Sequence, residues 1–244
     1  MKIKVTCTIV LTLLISLSSN CFGQGTSGGQ SVGSEIIDFE GVFESLHHQQ
    51  ILQGKQYRYF YPSIKGHQYW DKAIYATGSL TFEGVIYQNI LLNYDLYNDL
   101  VMIAMVRNGL TENIILDNTR IDNFMVESAN FVNIRDSTEI IAPGIYRLAF
   151  DQNEVQLYIQ AKKSVAGNNG RGEQLKKFVE ENTFLLVMNG VVHNIENKKD
   201  LLKALETGSP VANYIKDHSL KFRNHNQIET SLLIILERFY SSDL

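Results

Sequence analysis

Two cysteines, three prolines and one tryptophan in 244 residues mark this sequence by what it has little of. Two thiols cannot build a disulfide framework or a cysteine-rich zinc site. So few prolines, with 17 glycines, exclude collagen-like and low-complexity chains. A hydrophobic fraction of 44% is too high for a disordered chain. Positive charge is also short: the formal net charge is −4. An electrostatic nucleic-acid binder needs a basic surface to neutralise phosphates, so that class is set aside. The sequence holds no Gly-x-Ser-x-Gly elbow, no P-loop lysine and no dinucleotide glycine spacing. Among His47, His48, His67, His193, His218 and His225 no pair has the i,i+4 spacing of a zincin helix. The acidic stretches near Asp95 and Asp117 do not complete a calcium loop. No metal and no cofactor is expected.

Met1-Lys2-Ile3-Lys4 is a basic head, followed by an apolar run from Val5 to Leu17 and then Ser18-Ser19-Asn20-Cys21-Phe22-Gly23. A membrane span needs about 20 apolar residues, and this run is shorter. Basic head, short apolar run and small residues near a cleavage point read as a secretory signal over residues 1–23. Cleavage after Gly23 would remove Cys7 and Cys21 and leave a thiol-free mature chain. The alternative is a lipoprotein anchored at Cys21, against which Asn20 is a poor fit. The expected location is the periplasm, or association with the outer membrane, with no transmembrane segment in the mature chain.

Residues 24–34 (Gln-Gly-Thr-Ser-Gly-Gly-Gln-Ser-Val-Gly-Ser) form a flexible leader by composition. Ile36, Phe39, Phe43 and Leu46 fall near helical spacing, with Ser34 placed to cap a short helix. From Tyr57 the period changes to two. Tyr57–Tyr61, Ala73–Gly78, Val85–Tyr94, Leu100–Val106, Asn113–Leu116, Phe124–Ser128, Phe131–Arg135, Ile145–Phe150 and Val155–Ala161 read as strands. Leu100–Val106 is apolar on both faces, as a central strand covered on both sides would be. Asn108-Gly109 and Asn189-Gly190 are hairpin dipeptides. Residues 162–172 read as a loop and Glu173–Glu181 as a short polar helix. After the hairpin of Phe184–Met188 and Val191–Ile195 the chain turns helical. Asn197 with Asp200 forms a capping box ahead of Leu201, Leu202 and Leu205, and Gly208 is placed to end that helix. Ser209-Pro210 opens another helix. Asn226 to Glu229 opens a last one, with Ile228, Leu232, Ile235, Leu236 and Phe239 on one face. The fold class expected is α+β: an antiparallel β-meander over 35–195, curled or partly closed, with the helices of 196–244 packed against it as one unit.

Leu52-Gln53-Gly54-Lys55-Gln56-Tyr57, Gly66-His67-Gln68-Tyr69-Trp70, Gly78 to Tyr87 and Leu92-Asn93-Tyr94-Asp95 together resemble a pattern found in exported envelope proteins of Bacteroidota. Lys199-Asp200-Leu201-Leu202, Tyr214-Ile215-Lys216 and the closing Phe239-Tyr240-Ser241 extend the resemblance to the C-terminus. The family has no assigned activity, so the resemblance implies an address and no catalytic residue.

Aromatics are the strongest local signal. Residues 57–97 hold 11 of the chain's 12 Tyr, 12 Phe and 1 Trp. Exposed Tyr and Trp rings make a stacking platform for sugars or peptides, and buried ones simply pack a sheet. Tyr69 and Trp70, with His67 beside them, are the candidate ligand-binding residues. The expected function is a non-enzymatic binding or assembly module of the envelope, its partner a protein or a glycan. An apolar-cargo carrier is a further class, as is a hydrolase using His67 with Asp95 or Asp99. Those two aspartates equally suit caps for a turn between strands.

Overall fold

A computed structural model describes residues 35–39, 48–107, 109–135, 141–167, 176–205 and 208–241. The stretches expected to be signal and leader, residues 1–34, lie outside the described residues. All the described residues fall within one unit, Ser34–Leu244.

Two antiparallel meanders joined along one strand make up the sheet. The first is β4 (Ala76–Phe82), β5 (Val85–Asp95), β6 (Leu100–Arg107) and β7 (Leu110–Ile115). The second is β8 (Ile121–Val126), β9 (Ala129–Ile134), β10 (Gly144–Gln152), β11 (Val155–Ala166), β12 (Lys176–Met188) and β13 (Val191–Asn194). β4 is the seam, pairing with β5 on one edge and β8 on the other. Gly78 makes that seam possible, since a Cβ there would sit 1.9 Å from the Met125 carbonyl oxygen. Three short strands complete the sheet: β1 (Ile36–Asp38) runs parallel to β5, β2 (Lys55–Gln56) pairs antiparallel to β7, and β3 (Ile64–Lys65) runs parallel to β12.

The fold is α+β as expected, but the sheet is mixed and it is not closed. Its path runs from β13 to β2, and the two parallel pairs lie off that path. β1 and β3 are three- and two-residue strands that pair along edges of β5 and β12, which periodicity cannot foresee. The sheet does bend back on itself. Lys163 N–H, on β11, donates to the carbonyl of Leu96, just past β5, at 3.1 Å.

Several local expectations hold. Val101 to Met105 are all buried, so β6 is covered on both faces. Asn189 and Gly190 have φ of 49° and 75°, the two positive values a type I′ hairpin needs, and Met188 pairs with Val191 across them. Others are corrected. The helix expected near Ile36 is strand β1 where it is described, and Phe43 and Leu46 lie outside the described residues. The Tyr57–Tyr61 alternation is not a strand; after β2 only the Tyr57 N–H continues the ladder, to Asn113 O at 2.8 Å. Where they are described, the expected 162–172 loop and Glu173–Glu181 helix are strand instead, over 162–166 and 176–181; residues 168–175 lie outside the described residues. β11 runs on to Ala166 and β12 starts at Lys176, a twelve-pair ladder. Lys162 faces Glu181 and Lys163 faces Glu180 across it, while the Ser164 hydroxyl donates to Glu181 at 2.6 Å. Opposite charges in register and a full ladder outweigh the weak helix preference of a polar run.

Three helices follow: α1 (Lys198–Ala204), α2 (Gly208–Asp217) and α3 (His225–Tyr240). Asn197 caps α1 as expected, accepting from the N–H groups of Lys199 and Asp200. Gly208 opens α2 rather than ending α1. The box of α3 sits two residues earlier than expected: Asn224 accepts from Gln227 N–H, and Gln227 returns the bond to Arg223 N–H. Ile228, Leu232, Ile235 and Leu236 are buried against Leu157, Ile159, Phe184 and Leu186 of β11 and β12, and Phe239 is left 38% exposed.

Candidate functional site

The aromatic segment between β2 and β4 has little secondary structure of its own, and buried polar groups hold it. Asp95, at the end of β5, is wholly buried and accepts four hydrogen bonds. One carboxylate oxygen takes the N–H groups of Tyr97 and Asn98, each at 2.9 Å, which folds the β5–β6 turn. The other takes the Tyr57 hydroxyl at 2.6 Å and the Asn98 side-chain amide at 2.7 Å. Burial, then the Asp95 bond, pushes the Tyr57 hydroxyl far above its usual range, so it remains a donor. Gln68, also buried, donates to that same hydroxyl at 3.0 Å. Gln68 to Trp70 lie alongside the end of β5: Trp70 N–H donates to Tyr94 O at 2.8 Å, and Leu96 N–H to Gln68 O at 2.9 Å.

Lys163 is the second anchor. Its ammonium donates to the carbonyls of His67 (3.1 Å) and Tyr69 (2.5 Å), tying this segment to the long hairpin. Burial lowers its pKa. His67 is lowered too, by burial first and by the nearby Lys163 charge second. The His67 Nδ1 is buried without a hydrogen-bond partner, and the ring stacks toward Tyr69 with centroids 6.1 Å apart.

The structure brings His67, Tyr69 and Trp70 close along the chain but gives them different surroundings. Trp70 is half-buried, edge-on to Phe131 at 5.3 Å, and packed on the core that also holds Phe124 and Tyr94. The Arg147 guanidinium lies 5.2 Å from its ring centroid and forms an ion pair with Glu229 of α3. Tyr69 joins a line of rings, with Tyr57 at 6.2 Å and Tyr59 beyond that at 5.5 Å. Among the described residues no hydrogen bond links His67 to Asp95 or Asp99. Asp99 accepts from the Tyr94 hydroxyl at 2.5 Å, so both aspartates are committed to tyrosines and the β5–β6 turn. The interior of the bent sheet is filled by Phe124, Phe131, Leu80 and Ile103.

A larger aromatic surface was not foreseen. Tyr61, Tyr97 and Phe178 form a triangle with centroids 5.4 to 5.9 Å apart, each pair edge-to-face. Phe60 is 80% exposed, Tyr59 46% and Tyr97 40%. Phe178 comes from β12, in the stretch expected to be helical, so the sequence offered no signal that it meets Tyr61 and Tyr97. Tyr59 also lines a cleft of about 440 Å³ with Ile51, Phe82 and Arg120. Arg120 lies over the Phe82 ring at 4.5 Å and makes two hydrogen bonds to Glu83, which holds that carboxylate below its usual range.

The described residues contain no group of three His, Asp or Glu placed to hold a metal, and no helix long and apolar enough to cross a membrane. No family model, curated protein or solved structure matches this chain. Geometry alone must therefore carry the functional reading. Exposed rings on an anchored backbone can stack on the C–H faces of sugars or on peptide side chains.

Proposed function

We propose that this chain is an exported envelope protein acting as a non-catalytic binding module, and that its ligand is a glycan stacked on the aromatic face around Tyr59, Phe60 and Tyr97. One observation carries the reading. Rings 40% to 80% exposed stand on a segment locked by the fully bonded Asp95. Leaving large rings in water is unfavourable, and several exposed rings on one segment and its neighbouring turn favour an interaction site there. Rigid support lowers the entropy lost on binding. His67 and Tyr69 reach Tyr59 through the Tyr57 ring, and Trp70 packs on the core instead. A hydrolase has less support, because His67 shares no hydrogen bond with either aspartate. A carrier of apolar cargo has less as well, since side chains fill the sheet's interior.

The test is titration of the purified protein against envelope and plant polysaccharides, followed by isothermal calorimetry on any that bind. Phe60→Ala with Tyr97→Ala is expected to weaken binding by about 2 kcal/mol, as for an aromatic hot spot. Loss of the Phe60 ring, 80% exposed, should leave thermal stability nearly unchanged, and loss of Tyr97's edge-to-face contacts with Tyr61 and Phe178 should cost about 1 kcal/mol. Binding that survives the double substitution, or no glycan binding at all, overturns the reading.

A further inference from the structure

A second surface, on the helical side of the molecule, points to a different ligand chemistry. Between the start of α1 and the loop joining α2 to α3 lies an open groove of about 700 Å³. Its floor is apolar: Leu202, Leu220 and Phe222, all half-buried. Its rim carries Lys198, Lys199, Lys221 and Arg223, and no carboxylate lines it. In a chain with more acidic than basic residues, four cations gathered around one trough are a local reversal of charge.

None of these four side chains has a structural duty. Among the described residues, none of them forms an ion pair or a side-chain hydrogen bond. Other groups build the walls. Ser231 Oγ donates to Lys221 O at 2.8 Å, Arg223 N–H donates to Gln227 Oε1 at 3.2 Å, and Leu220 N–H donates to Ile215 O at 3.0 Å. Asn197 holds the opposite wall by capping α1. The groove is thus preformed, and its charges are free to be answered from outside.

We infer that this groove docks a partner protein through an acidic segment with an apolar centre, carboxylates meeting the four-cation rim and an aliphatic or aromatic side chain filling the floor. Charge complementarity selects the partner's sign. The half-buried apolar floor favours a segment with an apolar side chain at its centre, and the vesicle arm of the experiment separates this from an anionic bilayer. The site is separate from the aromatic face, so it stands or falls independently of glycan binding.

The experiment uses the full chain against three arrays of short synthetic peptides: acidic with Leu or Phe centres, acidic with Ser centres, and basic with Leu or Phe centres. Phosphatidylglycerol vesicles form a fourth arm. The expected result is selective binding of the acidic–apolar set, weakened by raising salt to about 0.3 M. The combined K198E, K199E, K221E and R223E variant should lose that binding at least about tenfold. Its far-UV circular dichroism should match the parent's. If that variant does not fold, K199E with R223E alone should still lose severalfold. Equal binding of all three arrays, binding indifferent to charge reversal, or binding of vesicles without peptides each overturns the inference.

Discussion

The two halves of the sheet are held together by different physics. Where α1 to α3 cover β10 to β12, the interior is almost wholly aliphatic and aromatic, with Leu201, Leu232, Ile235 and Leu236 at 0% exposure. That side is stabilised by apolar burial, which is non-directional and indifferent to pH. Around β5 and the segment from Tyr57 to Trp70, polar groups do the positioning: the buried Asp95, Gln68 and Tyr57 and the half-buried Lys163. Polar anchors are directional, so they can fix irregular backbone and leave rings facing water. They also cost more when one partner is lost, because the others remain buried and unsatisfied. The contrast explains why the candidate binding face lies on the irregular side: a ladder of strands or a helix stripe would have turned those rings inward.

The sharpest break of this contrast is at Asp95. Asp95→Ala would strand a hydroxyl, a side-chain amide and two backbone N–H groups. With hydrogen bonds to a charged acceptor each contributing about 1.5–3 kcal/mol, the expected loss is about 4 kcal/mol or more by urea denaturation. Leu232→Ala, fully buried on the inner face of α3, is expected to cost about 3 kcal/mol in the same assay. If Leu232→Ala proves the costlier of the two, the polar anchors are secondary and the halves differ less than proposed.

Lys163→Met tests one anchor with little change of shape. It frees two backbone carbonyls but also removes a half-buried charge, so global stability should move by less than about 1 kcal/mol. Faster amide hydrogen exchange at Trp70, whose N–H donates to Tyr94, is the informative readout. Unchanged exchange there would mean that the lysine clamps nothing.

The smallest effect is a pH dependence. Burial and Lys163 hold the His67 pKa below its ordinary 6.5, so the folded state resists protonation more than the unfolded chain does. The stability linked to this group is fully present above about pH 6.5 and is lost as pH falls from there through the lower folded value. A modest fall in melting temperature is expected between about pH 7.5 and 5.5, and His67→Gln should flatten it. A slope that survives the substitution belongs to other groups.

Where local patterns agreed with the fold, they could be read directly. The doubly apolar run of β6, the Asn189-Gly190 turn, the Asn197 cap and the α3 stripe each depend on residues close together in sequence; Asn108 lies outside the described residues. Asp95 and Asp99 could likewise be read as turn residues. The aromatic face could be read only in part. Tyr69 and Trp70 stood out by type, but the exposure of Trp70 depends on Phe131 and Arg147, which come from the second meander. The basic groove was not legible at all, since α1 and the α2–α3 loop contribute its cations from separate stretches of chain.

What the sequence alone determined, then, is the set of elements whose stabilising contacts span a few residues: period-two runs, positive-φ turns, caps and one helix stripe. Tertiary structure alone decided the rest. It made a strand of the polar run Lys176–Glu181 because β11 offered a full ladder with opposite charges in register. It paired β1 and β3 in parallel along edges of β5 and β12. It joined Tyr61, Tyr97 and Phe178 because a hairpin from the second meander folds back to the end of β5. Burial and long-range pairing are properties of the assembled sheet, and each outweighs a local propensity of about 0.5 kcal/mol per residue.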